Sequence, residues 1–460
     1  MSSPPRTSGW NPLTTRRGFL QRAAGMAGAA AAIGTTAAWS RPSARTGRST
    51  RMKPRPDLLD ERSPRTIEVF QLSNEAGVPY SHLYMEAQVF TPDSKRFILH
   101  RSATPHGGNV TDPEHHYLLC DLEDGGRLTT IIDELGCTAA SVSPDGQWVY
   151  YFLDRTRVNE GSLRLKRVRL DGSGRETITV IDTALPGTRY RPSLLYCLST
   201  ISSDGRRVAI SAFLGDGQTP NAPFGLLVFD VQKGSADLVL EGPTWCNMHA
   251  QYSRSADHDQ RRDILVQENH GNVTDARGET TVLVSGAGAD IHVIRDDGTH
   301  LRDMPWGRDG NEQCQGHQCR RGRSAWAITS TDSRSPAEAQ LIEGRAAPHV
   351  GHVGSETPGG VRNDLSRNFT NPHFYHFGTD IRGTRLVSDA GSFDRDAQIV
   401  LMKLGEPGIE PARELTYLLS PRSSCEKGAH IHPFLSPDGR MAFFNSDESG
   451  LLQAYMIRGL

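Results

Sequence analysis

Histidine is the residue type here whose placement best supports chemistry. Of the 17 histidines, His249, His317, His376 and the pair His430 and His432 fall at corresponding places in successive copies of a repeated pattern. A neutral imidazole is a common transition-metal ligand, and its ordinary titration range also suits it to general acid–base work. In His430-Ile431-His432 the i, i+2 spacing of an extended chain puts both rings on one face, as two ligands of one metal require. A single histidine inside a protein is usually a hydrogen-bonded structural residue. Recurrence at equivalent positions is what shifts the balance toward a shared site. His115-His116 falls in an outer hairpin and His349 and His352 in a Gly/Pro loop, all positions expected to be solvated, while His270 follows a strand. No Gly-Xaa-Ser-Xaa-Gly elbow, phosphate-binding glycine loop or His-Glu-Xaa-Xaa-His helix occurs, which argues against serine hydrolases, nucleotide enzymes and zincins.

The elements that would carry these histidines are short strands. From residue 66 onward an apolar β-type run, a Ser-Pro-Asp-Gly turn and a second β run recur with a period of roughly 45–65 residues. Clear copies are Val89-Phe90-Thr91-Pro92-Asp93-Ser94, Ser141-Val142-Ser143-Pro144-Asp145-Gly146, Ile201-Ser202-Ser203-Asp204-Gly205 and Phe434-Leu435-Ser436-Pro437-Asp438-Gly439. Weaker copies follow His249, His317 and His376. Pro and Asp-Gly supply the turn geometry and the flanking runs supply the strands. Small sheets of this kind cannot bury their faces alone, but radial packing buries all of them. The expected fold is therefore all-β, a seven-bladed β-propeller over residues 66–460, with two tandem β-sandwiches as the rival. The last copy provides three strands, and Thr66-Ile67-Glu68-Val69-Phe70 is the natural fourth, joining the N-terminal strand to the last blade. First strands line the central channel of such a ring, so the five histidines would converge there from blades four to seven, with His270 near its mouth.

Composition agrees with a chain of many turns: there are 46 Gly and 27 Pro, and hydrophobic residues are only 36% of the total. Mean hydropathy is −0.48, which excludes a polytopic membrane protein. The net charge of −2 combines two segments: residues 1–44 hold five Arg and no acid, leaving −7 for the remainder. A mildly acidic body has no footprint for nucleic acid. Thr15-Arg16-Arg17-Gly18-Phe19-Leu20 followed by an Ala/Gly-rich run reads as a twin-arginine export signal, cleaved between Ala38 and Ala44. The expectations are a signal at 1–44, a basic Pro-containing linker at 45–65, a periplasmic or secreted product and no membrane span in the mature chain. Seven cysteines, an odd number, leave at least one unpaired within the chain. Cys314 and Cys319 flank His317, where a disulfide, buried thiols or a metal site are all compatible with the spacing.

Several of these residues together resemble the oligogalacturonate lyases, seven-bladed propellers related to TolB-like propellers, over about residues 66–458. The resemblance rests on His82 with Gln88 and Phe90-Thr91-Pro92-Asp93, on His249 ahead of the fourth-blade strand, and on Gly316-His317-Gln318. His376 seven residues before Gly383, and His430-Ile431-His432-Pro433 before the last Ser-Pro-Asp-Gly turn, complete it. It implies a divalent metal, manganese in that family, held by His317, His430 and His432, and a catalytic base at His249. It also places His82, Gln88 and His376 at the substrate. The implied reaction is β-elimination on a uronate oligosaccharide: the metal binds the carboxylate, the base takes the C5 proton and the C4–O bond breaks. Two positions depart from the family pattern. Lys427 stands where a metal-binding glutamine is expected, leaving the adjacent Glu426 or a water to fill that place. Gly225 stands at the position of a substrate-assisting blade-three arginine, for which Arg191 or Arg254 would have to substitute.

The leading expectation is an exported, divalent-metal-dependent lyase of uronate oligosaccharides. A non-catalytic TolB-like propeller binding a protein or glycan is the first rival, and a metal-dependent hydrolase or oxidoreductase on the same scaffold the second, since fold alone does not fix function. Convergence of His249, His317, His430 and His432 separates the first reading from the non-catalytic one.

Overall fold

The computed structural model describes residues 51–101, 110–283, 288–306, 313–332, 340–346, 360–369, 373–391, 397–426 and 428–460. The twin-arginine segment, His349, His352 and Lys427 lie outside the described residues.

Seven antiparallel sheets follow one another along the chain. Their first strands are Ser81–His82, Cys137–Val142, Ser199–Ile201, Gln251–Tyr252, Gln313–Arg320, Phe374–Thr379 and Phe434–Leu435. Each begins a four-stranded blade built outward in sequence order, except the last, which has five strands. Two short 3-10 turns are the only helical elements among the described residues. Blade four carries an extra hairpin, Val273–Thr274 with Thr280–Val282, between its second and third strands.

Blade three shows why these runs are so apolar. Along its second strand, Arg207–Phe213, the side chains of Val208, Ile210 and Ala212 enter the cluster shared with blade two, while Ala209 and Phe213 enter the one shared with blade four. The two-residue period of a strand sends alternate side chains to opposite faces, and here both faces are buried. Each fully buried Ile, Val or Phe contributes roughly 1.5–3 kcal/mol. Equivalent clusters join every neighbouring pair of blades around the ring. A belt of polar contacts also links inner strands. Ser141 Oγ meets Ser199 Oγ at 2.8 Å, the Tyr252 amide donates to Thr200 Oγ1 at 2.8 Å, and Gln251 Nε2 donates to the Gln318 carbonyl at 2.9 Å.

The turns that end the inner strands are built alike. In the last blade Ser436 Oγ donates to Asp438 Oδ1 at 2.6 Å and accepts from the Met441 amide at 3.1 Å, while Gly439 takes φ +71°. The same Ser–Asp contacts recur at Ser143/Asp145 and Ser202/Asp204. Gly146 has φ +68°, and a Cβ there would come within 2.7 Å of Pro92, so glycine is required twice over.

Glu68–Gln71 pairs antiparallel with Gln453–Arg458, so the first long strand and the last strand of the chain lie in one blade. The stretch expected to be linker is partly folded onto that blade. Lys53–Pro54 pairs with Phe70 and Gln71 as a fifth strand, and Leu58 is buried in the cluster between blades six and seven. Between them, Arg55 binds Asp57 at 2.7 Å and Glu448 at 2.9 Å and donates to Gln71 at 3.1 Å. Among the described residues no helix is long and apolar enough to cross a membrane.

Candidate active site and metal centre

The site lies where the inner strands begin. Its metal-competent group is His376, His430 and His432, whose nearest ring nitrogens all lie within 4.8 Å of one another. His376 is on the inner strand of blade six. His430-Ile431-His432 lies just ahead of the blade-seven inner strand rather than in it. Ile431 is buried in the cluster between blades six and seven, and His432 adopts φ +45°, a left-handed conformation uncommon outside glycine. The two rings are 5.3 Å apart by centroid, so the i, i+2 spacing does bring them together.

His376 is held by Asp389 from the adjacent strand. The carboxylate accepts from the His376 amide at 2.6 Å and contacts Nδ1 at 2.8 Å, with both side chains buried. A carboxylate on one imidazole nitrogen orients the ring and leaves the other nitrogen to face a metal. Three imidazoles, one already oriented in this way, form a donor set that fits a divalent transition metal.

This grouping differs from the expected one. His317 stands against His376, with ring centroids 4.5 Å apart, but is not in the converging set. The inner strand of blade five is irregular between Cys314 and Gln318, with Gly316 at φ +81°, as is that of blade six between Phe374 and Phe377. Glu426 is exposed and also lies outside the set. His376, expected at the substrate, is in the converging set instead.

His249 precedes the blade-four inner strand, is buried, and adopts φ +48°. Its Nδ1 lies 3.0 Å from Glu86 Oε2, and its Nε2 lies 2.9 Å from the Tyr196 hydroxyl. Burial pushes the Glu86 carboxyl above its usual range, against the pull of His249. With a proton on Nδ1, Nε2 presents its lone pair and accepts the Tyr196 O–H, and the ring is poised as a base.

Glu86 belongs to an irregular segment, Leu83–Val89, that runs from blade one across the start of the inner strands. The Ala87 amide closes a turn on the Tyr84 carbonyl at 2.9 Å. Tyr84 then packs on His432, His249 and His376 at centroid distances of 4.6, 5.3 and 6.3 Å. Among the described residues it is the one ring touching both the candidate base and two candidate ligands.

The remaining expected substrate residues are used differently. His82 is fully buried among Phe97, Phe434 and Phe443, with Nε2 on the Tyr455 carbonyl at 2.9 Å. Burial lowers its pKa to about 3, so it is a neutral packing residue between blades one and seven. Gln88 bonds the blade-three inner strand through both ends of its amide, donating to the Ile201 carbonyl at 2.9 Å and accepting from the Ile201 amide at 2.6 Å. It is a cross-link that anchors the crossing segment. Arg254 lies two residues past the blade-four inner strand, toward its turn end, whereas His249 precedes that strand. Arg191 caps the Asp182 carbonyl at 2.7 Å on the exposed side. Gly225 lies inside blade three, where a Cβ would come within 2.5 Å of Leu238 and 2.7 Å of Leu214. Blade three contributes Tyr196 instead. Elsewhere, Cys314 and Cys319 are buried, His115 is buried rather than solvated, and His270 contacts Asp290 at 2.8 Å on blade four.

No family model matches the chain, and no curated protein matches it by sequence. Solved structures do match. An oligogalacturonate lyase from Vibrio parahaemolyticus superposes with a TM-score of 0.63 at 15% identity, over 90% of this chain and 98% of the other. An oligogalacturonate lyase in complex with manganese superposes with a TM-score of 0.63 at 16% identity, over 90% and 97%. TolB from Acinetobacter baumannii aligns at a TM-score of 0.38 and 13% identity, over 72% of this chain and 68% of the other. The seven-bladed fold is thus shared with oligogalacturonate lyases.

Proposed function

We propose that this protein is an exported, divalent-metal-dependent lyase that cleaves uronate-containing oligosaccharides by β-elimination. The observation that carries this reading is the meeting of two devices at one end of the ring. One is an imidazole base backed by a buried carboxylate, His249 with Glu86, and the other is the three-imidazole group His376, His430 and His432. Tyr84 touches both. A divalent cation held by the three imidazoles would bind the uronate carboxylate and acidify the C5 proton. Manganese is the cation bound in a lyase of the same fold. His249 Nε2 takes the C5 proton, Glu86 holds the ring in the required tautomer, and Tyr84 packs the base against the ligand group. Export rests on the twin-arginine segment alone.

A non-catalytic binding propeller has no need for a base backed by a buried carboxylate, because holding Glu86 there costs desolvation. The test is metal analysis of the purified protein with an ultraviolet scan over uronate oligomers, since elimination creates an absorbing C4=C5 double bond. The proposal predicts bound divalent metal and a metal-dependent rise in absorbance that His249→Ala removes. Bound metal with no such rise on any uronate would point to a hydrolase or oxidoreductase instead.

A further inference from the structure

The base and a second proton carrier are already in contact. Tyr196 comes from the segment before the blade-three inner strand, is only partly buried, and places its hydroxyl 2.9 Å from His249 Nε2, the nitrogen that would take the C5 proton. We infer, on the premise of the elimination proposed above, that Tyr196 is the general acid of the reaction and that the substrate is a uronate with its C5–H and C4–O bonds on the same face of the ring, glucuronate or mannuronate rather than galacturonate.

The step balances within these groups. The C5–H bond breaks, its proton goes to His249 Nε2 and its electron pair forms the C4=C5 double bond. The C4–O4 bond breaks with its pair on O4, and Tyr196 gives its proton to O4. The tyrosinate then recovers a proton from Nε2–H across the same contact, and the site is restored. No oxidant, reductant or further co-reactant is needed.

The stereochemical conclusion follows from the short distance. An acid and a base joined by one hydrogen bond approach the sugar from one side. In glucuronate and mannuronate, C5–H and C4–O are cis, so one hydrogen-bonded pair reaches both. In galacturonate they are trans, and acid and base must stand on opposite faces of the ring. The blade-three group in contact with the base is a proton donor rather than a fixed cation.

The test uses the full chain loaded with divalent cation, assayed by product absorbance on glucuronate, mannuronate and galacturonate oligomers, with wild type, Tyr196→Phe and His249→Ala. A methyl uronoside bearing 4-nitrophenoxide at C4, in the cis configuration, supplies a leaving group that departs without a proton. Wild type is expected to prefer a cis oligomer over galacturonate by at least about 10²-fold in kcat/KM. Tyr196→Phe is expected to lose about 10²-fold or more in kcat on the cis oligomer but less than about tenfold on the nitrophenoxide substrate, which also shows that the variant is folded. His249→Ala loses both. Preference for galacturonate, or an equal loss by Tyr196→Phe on the two leaving groups, overturns the inference while leaving the lyase reading intact. Absence of elimination by wild type on every uronate overturns the lyase reading and the inference with it.

Discussion

The two ends of the inner strands are built on opposite rules. At the turn end, Ser-Pro-Asp-Gly segments repeat one hydrogen-bonding scheme, and the left-handed position is glycine at Gly146, Gly205 and Gly439 and serine at Ser94. At the other end the residue types at equivalent positions differ from blade to blade. There the left-handed residues include His249 and His432, and the carboxylates of Glu86 and Asp389 are buried against imidazoles. Left-handed backbone at a non-glycine residue costs of order 1–3 kcal/mol and persists only where the surroundings over-determine it. The regular end holds the ring together at low strain, and the irregular end carries strain and desolvation for the sake of chemistry. Mutations should therefore separate stability from activity according to the end they touch.

The largest expected effect is at the irregular end. His249→Ala should reduce elimination by about 10³-fold or more, with the melting temperature little changed. Glu86→Gln comes next. Kinetic pH profiles should show about 10²-fold lower kcat, because the glutamine amide no longer fixes the His249 tautomer. The same substitution should raise stability at neutral pH. The Glu86 carboxyl is pushed up in the folded protein, so between the ordinary carboxylate range and its folded value the native state retains a proton that the unfolded chain has lost. Stability then falls as pH rises through that window, and Gln removes the penalty. Activity and stability moving in opposite directions would sharpen the contrast; a joint fall would mean that Glu86 is a structural residue.

At the regular end the pattern should invert. Gly146→Ala must adopt φ +68° with its Cβ pressed on Pro92, and should cost about 1–3 kcal/mol in chemical denaturation while leaving kcat of the folded fraction unchanged. His82→Gln gives a smaller, pH-dependent signal. Folding holds His82 at about 3, below its unfolded value, so wild-type stability is intact above pH about 6.5 and is lost as pH falls toward 3. Thermal melts across that range should show a shallower acid loss in the variant, with unchanged KM. A rise in KM would return His82 to the substrate.

How much of this was legible in the sequence follows the same division. The repeated turns carry their own signature over a few residues, so seven blades and the participation of the N-terminal strand in the last one could be read directly. His249, His376, His430 and His432 could be picked out because blade-equivalent positions align without a structure. What could not be read depends on contacts between distant segments. Glu86 lies 163 residues from His249, and Tyr196 lies 53. Met85-Glu86-Ala87 has no motif, and nothing in its spacing says that Leu83–Val89 crosses in front of the inner strands. Asp389, 13 residues after His376, pairs with it only because adjacent strands place them side by side. For Gln88 and His82 a polar residue type beside the channel is compatible with packing as well as with binding. His317 stands against His376 but outside the converging set, a difference of side-chain placement that spacing does not carry.

The claim that most needs testing is that these two devices act together on a uronate. The direct measurement is the rate of ultraviolet absorbance gain on uronate oligomers, comparing metal-loaded wild type, the chelator-treated protein, and a variant with His376, His430 and His432 all replaced by Ala. The account predicts a rise with the loaded wild type, its loss on chelation, its return on adding the metal back, and no return in the triple variant. Elimination that survives chelation, or that the triple variant still performs with added metal, would contradict it.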